Sequence, residues 1–149
     1  MNNRSAKDIR LEGRREIFLP EPVVKAALRE QPLLRGLLNA GAGYSPRATG
    51  HLRRRPQTLD QALLIYCVKG GGWCELAGQL HTVRAGDLLA LPPNVPYTCG
   101  AHVANPWTIH WACALGANLP EYLSELGASA QAPLVWMGED LQLARLFNE

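Results

Sequence analysis

The residues of this chain with the most chemistry to offer are four histidines, His51, His81, His102 and His110, and four cysteines, Cys67, Cys74, Cys99 and Cys113. Metal binding or nucleophilic catalysis would need them grouped. No two histidines stand two residues apart, no H-E-x-x-H exists, and the cysteines are spaced 7, 25 and 14 residues apart with no C-x-x-C pair. Neither a zinc site nor a redox motif is spelled out. The cysteines read as reduced, small apolar residues of a cytosolic protein, and each histidine by itself reads as a surface or core residue. A G-x-S-x-G elbow, a phosphate loop and a dinucleotide fingerprint are all missing from the sequence. Gly70-Gly71-Gly72 follows one strand-like run and leads into another, so it reads as a hairpin turn and not as a phosphate-binding helix start.

What remains is binding chemistry. Read by period two, Trp107, Ile109, Trp111 and Cys113 share one face of a strand, and Thr108, His110, Ala112 and Ala114 share the other. The first face suits a barrel interior. It is either plain core packing or, at Trp111 above all, a wall on which a ligand ring stacks, because an indole buries a large area and keeps a polar edge. Arg53, Arg54 and Arg55 follow His51 just ahead of the main sheet. They form either a solvated basic loop or a source of one inward arginine, Arg53 or Arg55, that hydrogen-bonds an anionic or hydroxyl-rich ligand. With Lys+Arg 15 against Asp+Glu 13, the net charge of +2 supplies no concentrated basic face for nucleic acid.

The elements that must position these residues are short. Residues 1–16 are polar and charged and read as a flexible arm, with no apolar run resembling a signal peptide. Pro20-Glu21-Pro22 opens a predicted helix through Glu30, and Pro32 stops it. Leu33 to Tyr44 extends that helix or forms a first strand, the glycines favouring a strand with bends. Predicted strands follow at Ala62–Val68, Trp73–Ala77, Leu80–Val83, Leu88–Leu91, Tyr97–His102 and Trp107–Leu115. Turns every 8 to 12 residues mark an antiparallel sandwich or barrel. Asn118 is a candidate N-cap for a helix over Leu119–Leu126, Gly127 its stop, and residues 127–133 a linker. Leu141, Leu143, Ala144, Leu146 and Phe147 predict a last helix with one apolar side. The longest apolar runs, about seven residues, are far short of a membrane span, and the expected location is the cytoplasm.

Three stretches carry a resemblance: Leu63-Leu64-Ile65-Tyr66-Cys67-Val68-Lys69-Gly70-Gly71-Gly72-Trp73, then Arg84-Ala85-Gly86-Asp87-Leu88-Leu89-Ala90-Leu91-Pro92-Pro93-Asn94-Val95-Pro96-Tyr97, then Asn105-Pro106-Trp107-Thr108-Ile109-His110-Trp111. Together they resemble the sensor domain of AraC-type transcription regulators over residues 30 to 147 or so. The resemblance implies a mainly β protein with α, a cupin-like (double-stranded β-helix or jelly-roll) barrel with C-terminal helices. It implies a small-molecule effector, in many members a sugar, and a homodimer. In sugar-responsive members an arginine ahead of the sheet and a tryptophan on the late aromatic strand line the pocket; Arg55 and Trp111 stand at those positions. Other polar pocket positions fall on Cys99 and Ile109, which bond weakly or not at all and depart from the sugar-binding pattern. Tyr97 stands where metal-dependent cupins carry a late histidine and Asn94 where they carry a glycine. Tyr97 either presents its hydroxyl to the pocket or caps the barrel.

The expected organisation is an arm (1–16), an effector-binding barrel with a leading helix (17–116) and a helical dimerisation segment (117–149). DNA would be met only through a helix-turn-helix domain outside this chain. No catalytic residue, metal, cofactor or membrane partner is expected. The ligand-binding candidates are Arg55, Trp111, Tyr97, Arg53, Trp107, Ile109 and Cys99. The alternatives are a small metal-dependent cupin enzyme and a stand-alone metabolite-binding module.

Overall fold

A computed structural model describes residues 13–49, 52–55 (backbone only), 60–139 and 145–146. The strands are β1 (Arg15–Phe18), β2 (Leu38–Ser45), β3 (Leu52–Arg55), β4 (Ala62–Lys69), β5 (Gly71–Leu76), β6 (Gln79–Arg84), β7 (Asp87–Leu91), β8 (Tyr97–Ala101), β9 (Thr108–Leu115) and β10 (Leu134–Trp136). The helices are α1 (Glu21–Glu30), α2 (Pro32–Gly36) and α3 (Leu119–Glu125). A six-stranded sheet, β1-β2-β9-β4-β7-β10, faces a four-stranded sheet, β3-β8-β5-β6. Neighbouring strands within both are antiparallel.

The period-two reading of β9 holds throughout the larger sheet. Its inner face carries Leu63, Ile65 and Cys67 of β4, Leu89 and Leu91 of β7, and Ile109, Trp111 and Cys113 of β9. These pack against Cys74, Leu76, Val83, Tyr97 and Cys99 of the smaller sheet, with Trp107 between. The outer face is alanine-rich: Ala62, Ala90 and Ala114 are small enough for Leu119 and Leu123 of α3 to settle on them. The corner between β6 and β7 is held by a side chain, because Asp87 Oδ2, nearly buried, accepts the Arg84 N–H at 2.8 Å. That bond explains the Gly-Asp pair of the sequence: an aspartate there closes the turn.

Several elements differ from the sequence expectation. Arg15 and Glu16, expected in the arm, belong to β1, where Arg15 pairs with Tyr44 and Glu16 with Gly43; β2 would otherwise present an open edge. The ambiguous stretch after Pro32 resolves into both options, a short helix and then a strand from Leu38. Leu52–Arg55, weighed as a loop, is a strand in its backbone, paired with β8. Leu134–Trp136, expected within a helical segment, is an edge strand on β7; a bare β7 edge favours β-rich Leu-Val-Trp over a helix. Asn118 sits at the N-cap of α3 but makes no side-chain cap bond. The stripe Leu141, Leu143, Ala144 and Phe147 lies outside the described residues, as does most of the arm; Arg145 and Leu146 are helical. Among the described residues no helix is long and apolar enough to cross a membrane.

Candidate functional site

A cavity of about 260 Å³ lies at the end of the barrel where β2 and β4 begin and β9 ends. Cys113 and Leu115 of β9 and Ala40 of β2 form one side; Phe18 and Leu19 from β1 and its exit, with Val24 of α1, form the other. Among the described residues Glu21 and Gln61 supply the polar lining. The covering side is held by one backbone bond to the barrel and by side-chain bonds between its two helices. Leu19 N–H donates to Ala40 C=O at 2.9 Å, and Arg35 donates from Nε and Nη2 to the carbonyls of Leu28 and Arg29 at 3.1 and 2.8 Å. Those two bonds satisfy carbonyls in the last turn of α1 and tie it to α2. Glu21 is bound by Lys25 Nζ at 2.9 Å, which lowers its carboxyl below the usual carboxylate value.

The cavity adjoins the aromatic interior through Phe18. Its ring lies 5.4 Å from that of Trp111, tilted 39°. The strand register explains the approach: Phe18 pairs with Gly41 and Trp111 with Gly43, all on the inner face. A Cβ on Gly43 would fall within the Trp111 indole, and one on Gly72 within the Trp107 ring. The indoles therefore lie flat on bare backbone, which is why glycines occupy these strand positions.

Of the sequence candidates, Trp107, Ile109, Trp111, Cys99 and Tyr97 all belong to the interior cluster. Trp111 is 1% exposed and Tyr97 8%. None of these five lines the cavity itself; Trp111 reaches it through Phe18. In the backbone register Arg53 stands opposite Cys99 and Arg55 opposite Tyr97; the side chains of both arginines lie outside the described residues. Phe18, Leu19, Val24 and Gln61 were missed by sequence reasoning. For Cys113 and Leu115 the signal was present, since they continue the Trp107–Trp111 face at period two. For Phe18 there was only an apolar pair ahead of Pro20.

The buried thiols and imidazole are held neutral. Burial, with the Asp87 charge next, pushes Cys67 up to about 12, and burial with Cys99 and Glu75 pushes Cys74 to about 12. Burial, with Arg15 adding to it, lowers His110. Among the described residues no group of three or more His, Cys, Asp or Glu is placed to hold a metal ion.

Two facing antiparallel sheets rolled around an apolar interior, with a cavity at one end, define a cupin-like jelly roll. The fold is similar to that of YhaK from Escherichia coli, with TM-score 0.50 and 16% identity, covering 73% of this chain and 47% of that one. A cupin protein from Bacteroides fragilis aligns with TM-score 0.44 and 16% identity over 71% of this chain and 78% of that one. Residues 39–149 match the AraC-like ligand binding domain family, and the chain belongs to it. It is 38% identical over 96 residues to the MmsAB operon regulatory protein of Pseudomonas aeruginosa, covering 59% of this chain and 31% of that protein. The chain is thus an AraC-like ligand-binding domain, and it spans about a third of the length of this relative.

Proposed function

We propose that this chain is the effector-sensing and dimerisation part of a cytoplasmic, non-enzymatic transcription regulator that meets DNA through a separate helix-turn-helix domain. The carrying observation is the contact between Phe18, which walls the cavity, and Trp111, which belongs to the barrel interior. An occupant of the cavity would touch both the leading strand and the core, so it would bind differently when β1 moves, and only such a difference lets a ligand switch a protein. The remaining candidates, Arg55, Arg53, Tyr97, Trp107, Ile109 and Cys99, would shape or extend that site from the barrel side. A sugar and a less polar metabolite are the two effector classes in play.

The test is a thermal-shift screen of the chain against sugars, polyols, small acids and alcohols. A ligand bound to the native state at about 100 times its dissociation constant adds about 2.7 kcal/mol. A hit whose shift is lost in Phe18→Ala supports the reading, and silence across the library overturns it. Sedimentation velocity at micromolar concentration tests the dimer: a single monomer boundary removes dimerisation from the proposal.

A further inference from the structure

We infer that the cavity beneath β1 and α1 takes a compact, uncharged ligand with an apolar body and one hydrogen-bonding end, and not a polyhydroxylated sugar. The inference rests on the effector-sensing reading above. A volume of about 260 Å³ lies below the roughly 300–1,000 Å³ of sites for drug-sized ligands, so the part of an occupant held against the barrel is small, while Phe18, 58% exposed, leaves the cavity open to solvent. Its body would lie against Phe18, Val24, Ala40 and Leu115, none of which offers a side-chain hydrogen bond. Cys113 adds only a weak thiol donor.

A sugar carries a hydroxyl on nearly every carbon, and each one desolvated without a partner weakens binding by about tenfold. Among the described residues the polar side chains of the lining are one amide, Gln61, and one carboxylate, Glu21. Glu21 is already engaged by Lys25 and is largely solvated, its side chain 78% exposed. Sugar hydroxyls turned toward the buried side, Ala40 and Cys113, would therefore meet only a weak thiol among the described residues. An anionic ligand fares badly for a different reason: among the described lining residues no cationic side chain faces it, so a carboxylate taken out of water there would go uncompensated. Gln61, at the start of β4, remains as a donor and acceptor for a hydroxyl, carbonyl or amide. The ligand that matches has one such group facing Gln61 and hydrocarbon or aromatic surface elsewhere.

The test uses the full 149-residue chain with benzyl alcohol, cyclohexanol and toluene as apolar probes and glucose and arabinose as sugar probes, titrated by calorimetry and ligand-observed NMR. Both alcohols are expected to bind at least tenfold more tightly than either sugar. Ala40→Phe, which fills the cavity, should weaken the alcohols at least tenfold; Leu115→Trp serves the same purpose if the first variant does not melt cooperatively. Gln61→Leu should weaken benzyl alcohol severalfold and leave toluene unchanged. Tighter binding of a sugar than of both alcohols overturns this ligand class and leaves the sensing reading standing. Alcohol binding that survives cavity filling, or absent alcohol binding, also overturns it. Silence from the whole metabolite library removes the sensing reading together with it.

Discussion

Two indoles and the glycines beneath them set the tolerance of this barrel to change. Trp111 is buried against Gly43 and Phe18, so Trp111→Ala removes a large core side chain and should cost about 3–5 kcal/mol. Chemical denaturation measures it, and a cost below 1 kcal/mol would show that the ring is dispensable to the core. Gly72→Ala pushes a methyl into the Trp107 ring and should cost about 1–3 kcal/mol. Period two placed Trp107, Ile109, Trp111 and Cys113 on one face from the sequence alone. The sequence could not show that Gly41 and Gly43 were seats for aromatic rings and not bends, because that depends on which strand lies alongside. The four cysteines are buried, and Cys67 and Cys74 are pushed to about 12. They should resist Ellman's reagent in the native protein and all react in guanidinium; rapid native labelling would contradict the burial.

Between elements, a row of side chains crosses the outer face of the larger sheet. Arg15 of β1 lies over the Tyr44 ring at 5.4 Å, and Tyr44 packs 4.8 Å from His110 of β9. Tyr66 of β4, in register with His110, donates its hydroxyl to Gly138 C=O at 2.7 Å just past β10. Because the folded His110 value is lowered, the unfolded chain takes up a proton first as pH falls. Stability is therefore full above about pH 6.5 and declines below it, toward the lower folded value. His110→Phe should flatten that part of the melting-temperature profile between pH 7.5 and 5, and an unchanged slope would move the effect elsewhere. Tyr66→Phe should cost about 0.5–1.5 kcal/mol and speed hydrogen exchange at Met137, whose N–H bonds Gly86 C=O at 2.9 Å. The strands between Ala62 and Leu115 were legible because turn residues punctuate them. β1 and β10 were not, since a short edge strand owes its existence to the neighbour it pairs with.

For the whole molecule, the barrel was readable from strand spacing, and its family from three motif stretches later matched over residues 39–149. The cavity was not readable, because its covering side comes from residues 18–24 and its floor from β2 and β9, far away in sequence. The sheet order puts β1 and β10 at opposite borders of one six-stranded sheet. Five gaps of about 4.8 Å separate them, so Arg15 and Trp136 are at most about 24 Å apart measured across the strands. Dyes attached at these two borders would act as a molecular ruler, reporting any peeling of the first strand as lost energy transfer. Joining the borders covalently would need a bridge of roughly seven extended residues, which makes a circularly permuted version of the barrel a practical object to build.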